Sequence, residues 1–154
     1  MTIKITHIRI ILASLLALAL LLTAELAAAE QFIEDKDYVV HYSAFTSTLL
    51  TPEVASAYGL MRSRQRGIVN ISVQRKQPGG LTKSVLAQLK GYTGQLGGSE
   101  IPLDFQVVEE GDAIYYLAEF RVRDGDKLDF AINVSPTPES APLKVSFSQS
   151  FYSE

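Results

Sequence analysis

Along most of this chain apolar and polar side chains change places at every second position, the pattern of strands with one buried face. From Ile68 to Arg75, Val69, Ile71 and Val73 fall on one side and Asn70, Ser72 and Gln74 on the other. Tyr38–Phe45 is apolar on both faces, with His41 and Ser43 as polar interruptions. Between Leu103 and Glu109 the expected inward set is Leu103, Phe105 and Val107. The longest alternation, Ala113 to Arg123, sets Ile114, Tyr116, Ala118, Phe120 and Val122 against Glu119, Arg121 and Arg123. Asp124-Gly125 then favours a tight turn, because both residues tolerate left-handed backbone. Leu128, Phe130, Ile132 and Val134 align beyond it, so the two strands read as a hairpin. After a Ser-Pro-Thr-Pro-Glu break, a last strand over Leu143–Phe151 is expected to bury Leu143, Val145, Phe147 and Phe151.

One short helix interrupts this. Thr51 caps it, Pro52 occupies its first position, Glu53 puts a carboxylate near its positive end, and Gly59 stops it after about two turns. Thr82–Leu96 is ambiguous. Leu86, Leu89 and Lys90 fit a helix, whereas Val85, Ala87 and Leu89 alternate; Gly91 and Gly94 disfavour a helix, and strand is preferred. Six or seven short strands, each with one apolar face, require two packed sheets. The fold class is therefore mainly β, a sandwich of about seven strands with one connecting helix; a small closed barrel fits the same pattern.

The first segment has a different character. Lys4 and Arg9 precede Ile10–Leu22, thirteen uncharged and mostly apolar residues, and Ala27 and Ala29 then occupy the small-residue positions of an A-x-A site. We expect residues 1–29 to be a signal peptide cut between Ala29 and Glu30, and 30–154 to be a single exported domain. An uncleaved anchor over 8–29 is the rival; its apolar run is short of the roughly twenty residues a span needs, and Glu25 lies within it. The chain has no cysteine, so disulfides and thiolate chemistry are excluded. Without Lys4, Arg9 and Glu25 the domain carries 12 basic and 16 acidic residues, a mild acidity that argues against a general nucleic-acid binder.

VVHYSAF, then LTPEVASAYGLMRSRQRGIVNISV, and later GYTGQLG, PLDFQVVEEGDAIYYLAEF, LDFAINVSP and FSQSFY together resemble the family called domain of unknown function 4426. Its members are small exported proteins of gram-negative bacteria. The resemblance covers nearly all of the expected mature chain. It implies a periplasmic address and an immunoglobulin-like β-sandwich, and it brings no reaction and no site residues.

The candidate residues are few. His41 is the one histidine of the expected mature domain, and catalysis by it would require a carboxylate brought close by the fold. Arg62, Arg64 and Arg66, at alternate positions, would point to one side of an extended lead-in and grip an anion in forked geometry; pairing with Glu53, Glu109 or Glu110 is the structural alternative. Tyr115 and Leu117 stand where polar outward residues are expected, which suits either a helix cover or a partner surface. Tyr42, Tyr92 and Tyr116 are further amphipathic contacts. Glu109, Glu110 and Asp112 around Gly111, like Asp124 and Asp126 around Gly125, lack calcium-loop spacing and read as solvated turns.

No metal or cofactor is expected. The leading expectation is a non-enzymatic periplasmic binding or accessory protein that contacts a periplasmic protein or a small anionic ligand. No nucleic acid and no stable membrane span after cleavage are expected. The alternatives are a hydrolase-like enzyme using His41 with an adjacent carboxylate, and a self-assembling structural subunit.

Overall fold

The alternating stretches fold as strands within residues 31–152, the part of the chain that the computed structural model describes. The expected signal peptide and its cleavage point lie outside the described residues. In chain order the elements are β1 (Gln31–Glu34), β2 (Tyr38–Thr46), α1 (Pro52–Ala57), β3 (Arg66–Lys76), β4 (Thr82–Ser84), β5 (Gln88–Gly94), β6 (Ile101–Leu103), β7 (Gln106–Glu110), β8 (Ala113–Arg121), β9 (Lys127–Ser135) and β10 (Leu143–Ser150). Among the described residues no helix is long and apolar enough to cross a membrane.

Every strand pairing is antiparallel. One sheet runs β1-β2-β3-β8-β7, and β4 lies along the far end of β3; the other runs β10-β9-β5-β6. Val40, Val69, Ile71 and Val73 of the first sheet meet Phe130, Ile132, Val134 and Val145 of the second in one core. All eight are almost wholly removed from water, which is the burial that the two-residue period demanded. Aromatic rings bind the layers further. Phe130 stacks on Phe147 at 4.7 Å between centroids, and Tyr42 crosses from the opposite sheet to lie 4.8 Å from Phe147. The result is a mainly β sandwich with one short helix.

Three expectations are corrected by this topology. First, β8 and β9 are not a hairpin: β8 belongs to the larger sheet and β9 to the smaller. The Asp124-Gly125 turn is there, with Gly125 at φ 78°, but it carries the chain over the edge of the core as an arch. Its backbone groups bond to the chain end, Gly125 N–H to Phe151 O and Phe151 N–H to Asp126 O, both at 2.8 Å. Second, Leu103–Glu109 is not one strand. β6 pairs in one sheet and β7 in the other, so the chain crosses at Asp104-Phe105 and the alternation breaks there. Leu103 is buried and Phe105 packs on the core, but Val107 is exposed.

Third, the expected count of about seven strands becomes ten among the described residues. Thr82–Leu96 does fold as strand, but it changes sheets between β4 and β5. Val85 N–H still bonds to Val73 O of the first sheet, and two residues later Ala87 N–H is taken by the Tyr116 hydroxyl at 2.6 Å. Val85, Ala87 and Leu89 pack on the core throughout the crossing. The tyrosine oxygen thus supplies the acceptor that neither sheet provides at the crossover.

Residues 47–65 form a cover over one end of the larger sheet's outer face. Thr51 caps α1 as expected, its hydroxyl accepting from Val54 N–H at 3.3 Å, and Gly59 with φ 66° ends the helical turn. Ser47, fully buried, ties the two ends of this segment together. Its Oγ accepts from Ser63 N–H at 2.9 Å and donates to Ser63 O at 3.1 Å. Beneath the cover Ile68 is fully buried although it points away from the main core, and Ala55 of α1 is buried as well.

Candidate functional site

The outer face of the larger sheet gathers the most chemistry from the most distant parts of the chain. Register sets it out in rows. Phe45, Ile68 and Glu119 are cross-strand partners and form the covered row. Ser43, Asn70, Leu117 and Gln106 form the next. Phe32, His41 and Ser72 form the third, and Ile71 opposite Tyr116 sets Tyr115, with Val108 beside it, at the β8–β7 end of that row. His41, Tyr115 and Leu117, distant in sequence, therefore share one face.

The cover is fastened at the border of this shelf. Glu119 Oε1 accepts from Met61 N–H at 2.8 Å, its Oε2 lies 3.5 Å from Arg66 Nη1, and Gln106 Nε2 donates to Tyr58 O at 3.1 Å. Beyond that border the shelf is open to varying degree. Tyr115, Leu117 and His41 are half-buried, while Phe32 is 53% exposed and its ring lies 5.9 Å from that of His41. At its middle sits Asn70, whose Oδ1 is buried and accepts no hydrogen bond from any described residue. A buried carbonyl oxygen without a donor is uncommon because its lost hydration is not repaid. No local motif could have revealed Asn70, since its neighbours come from β2 and β8.

The arginines do not act together. Residues 61–65 are not an extended lead-in, and a turn closed by Arg66 N–H to Ser63 O breaks the alternation that would have aligned them. Arg62 donates to Thr48 O at 3.2 Å, Arg66 pairs with Glu119, and Arg64 is exposed without a hydrogen bond or ion pair among the described residues. Arg66 thus finds a different carboxylate from those expected. Arg62 does contribute to Glu53, whose carboxyl is held below its ordinary range first by its own backbone N–H, then by the Thr51 hydroxyl, and least by Arg62.

His41 faces Phe32 and Ser72 across the sheet, and neither is a carboxylate. Glu109, Glu110 and Asp112 flank the β7–β8 hairpin turn, where Gly111 has φ 57°. Among the described residues no three histidine or carboxylate side chains converge as metal ligands. On the smaller sheet a shallow groove of about 230 Å³ borders the Gln95–Glu100 loop, with Tyr92, Leu96 and Asp129 in its wall. Three glycines, Gly94, Gly97 and Gly98, are in its lining, and the Asp129 carboxylate already accepts from the Ser148 hydroxyl.

Fold and shelf together define a small β-sandwich protein with a partly covered outer sheet face. The family model described as domain of unknown function (DUF4426) matches residues 33–154, and the chain belongs to that family. A crystal structure of a DUF4426 family protein from Pseudomonas aeruginosa PAO1 is 35% identical, with a TM-score of 0.69 over 83% of this chain and 98% of that one. FetP of uropathogenic Escherichia coli strain F11, expressed in the periplasm and solved as isolated, has TM-score 0.55 at 11% identity over 80% of this chain and 94% of its own. A copper-bound variant of FetP gives 0.55 at 10% identity, over 80% of this chain and 95% of that one. These two likenesses show the fold alone. No curated protein matches.

Proposed function

We propose that this is an exported, non-enzymatic binding or accessory module of immunoglobulin-like architecture, working in the periplasm after removal of residues 1–29. Its contact surface is the open part of the outer shelf. The observation that carries this reading is the buried, unpartnered Asn70 Oδ1 between half-buried Leu117 and the His41–Ser72 pair. A partner offering one hydrogen-bond donor to Asn70 and an apolar group to Tyr115 and Leu117 complements that surface. The half-covered aromatic and aliphatic side chains supply area, and the amide supplies orientation. A periplasmic protein fits this better than a small anion, because Arg62 and Arg66 are engaged and Arg64 stands alone.

The copper in the FetP variant belongs to that protein. The likeness to FetP carries the fold and no function, so the module reading rests on the shelf itself.

Affinity capture from periplasmic extract, comparing the wild type with Tyr115→Ala, Arg64→Ala and Tyr92→Ala, tests the proposal. We expect one specific partner to be lost with Tyr115→Ala and retained with Tyr92→Ala on the other sheet. Identical captures from all folded variants would refute it.

A further inference from the structure

The strands at the ends of the two sheet orders are not alike, and the difference points to a partner. An exposed edge strand is a template for pairing, and proteins blunt such edges with charge, proline or brevity. β6 has three residues, one of them Pro102; β1 has four and carries Glu34, bound to Lys76 at 2.7 Å; β7 has five and ends in Glu109-Glu110. β10 has only one of these devices, a single charge. It runs eight residues, LKVSFSQS, in unbroken register against β9 from Leu143 opposite Val134 to Ser150 opposite Lys127. Its one charge is Lys144, it holds no proline, and no second strand borders it among the described residues.

The side chains along this edge are unfinished in the same way. Val145 is fully buried, but Leu143 and Phe147, which point into the same core, are only partly covered. Phe147 is nevertheless held rigidly, stacked on Phe130 and against Tyr42. The opposite face of the strand presents Lys144, Ser146 and Ser148, small or flexible groups that set no barrier to an approaching strand.

We propose that β10 pairs antiparallel with β10 of a second copy of this chain, joining two four-stranded sheets into one of eight strands. A two-fold axis at Ser146 sets Lys144 opposite Ser148 and Val145 opposite Phe147. An axis at Phe147 sets Lys144 opposite Ser150 and Ser146 opposite Ser148. In either register apolar faces apolar or glutamine, polar faces polar, and the lysines never meet, so the strand is complementary to itself. That self-complementarity under a two-fold is what makes a second copy the occupant, in preference to a foreign strand.

Sedimentation equilibrium on the exported protein, expressed from its full chain, tests this with Ser146→Lys and Ser146→Glu. Ser146 lies opposite exposed Ala131, so both changes leave the folded monomer intact, which thermal unfolding checks. The wild type is expected to show a concentration-dependent dimer. Each variant should dissociate roughly fivefold or more readily, because like charges then come opposite or diagonal across the axis. An equimolar mixture of the two should regain the dimer. In parallel, amide exchange of the wild type should show β10 amides gaining protection as concentration rises. A strictly monomeric wild type, a dimer indifferent to both variants, or a mixture that stays dissociated would each overturn the proposal.

Discussion

The ring of Phe120 occupies the space that a side chain on Gly67 would need: a Cβ there would lie 2.2 Å from Phe120 Cζ. The two residues are cross-strand partners on β8 and β3, and Gly67 has ordinary backbone angles, so the requirement is one of room. Phe120 cannot retreat, because it meets Phe130 edge-on at 5.1 Å and Phe151 at 5.4 Å.

Gly67→Ala should therefore destabilise the fold by about 3 kcal/mol, at the upper end for overpacking a core. Urea unfolding measures this. The double variant Gly67→Ala with Phe120→Leu should lose distinctly less than the sum of the two single changes, since the smaller side chain vacates the contested space. Strict additivity would show that the ring is not what excludes the methyl group.

Glu119 holds the cover through two different contacts, and two substitutions separate them. Glu119→Gln keeps an oxygen for Met61 N–H and loses only the half-exposed pairing with Arg66, a contact worth under about 1 kcal/mol. Glu119→Ala removes both and should cost about 1 kcal/mol more. Hydrogen exchange at the Met61 amide should accelerate markedly in the alanine variant and little in the glutamine variant. Equal exchange in both would mean that the other contacts, Ser47 with Ser63 and Gln106 with Tyr58, fasten the segment without Glu119.

Much of this architecture is legible from residue order, and the parts that are not have a common cause. Val69, Ile71 and Val73 lie in the core because alternation is a local property of one strand. The Asp124-Gly125 junction misleads because a hairpin and an arch use the same alternation on either side of the same turn. What separates them is whether Phe120 and Phe130 end on one sheet or face each other across the core, and here they face each other. Val107 misleads for a related reason, since the chain changes sheets at Asp104-Phe105 and the inward parity resets. The shelf is less legible still. His41, Asn70 and Leu117 are each unremarkable in their own strands, and only the pairing of β2, β3 and β8 brings them together.

Tyr116 links stability to pH at the sheet crossover. Burial first, and the charge of Glu109 to a lesser degree, raise its hydroxyl above the ordinary value of 10.0, against the opposing effect of the Ala87 N–H. The folded state thus holds this proton more tightly than the unfolded chain. The resulting stability is complete below the unfolded value and is lost as pH rises through the folded one. Tyr116→Phe leaves Ala87 N–H without its acceptor and should cost about 1 kcal/mol at neutral pH. It also removes the alkaline loss, so the stability gap between wild type and variant should narrow above pH 10.0. A constant gap across that range in chemical denaturation would show that the buried hydroxyl does not titrate differently on folding.

Asn70 gives the sharpest test of whether the shelf was shaped for stability or for contact. Its Oδ1 is buried without a donor, a loss of hydration worth about 1–3 kcal/mol when nothing replaces it. Valine is close to asparagine in size, suits the centre of a strand and carries no polar atom to desolvate. Asn70→Val should therefore raise the unfolding free energy by about 1 kcal/mol, measured by urea titration, and at the same time weaken capture of the partner that Tyr115→Ala loses. Stability gained together with binding lost is the expected mark of a polar group kept for a contact outside the chain. A variant that is less stable than the wild type would instead show that Asn70 serves the fold, through its amide group and its neighbours Ser43 and Leu117. One that binds the partner unchanged would place the contact surface away from this row.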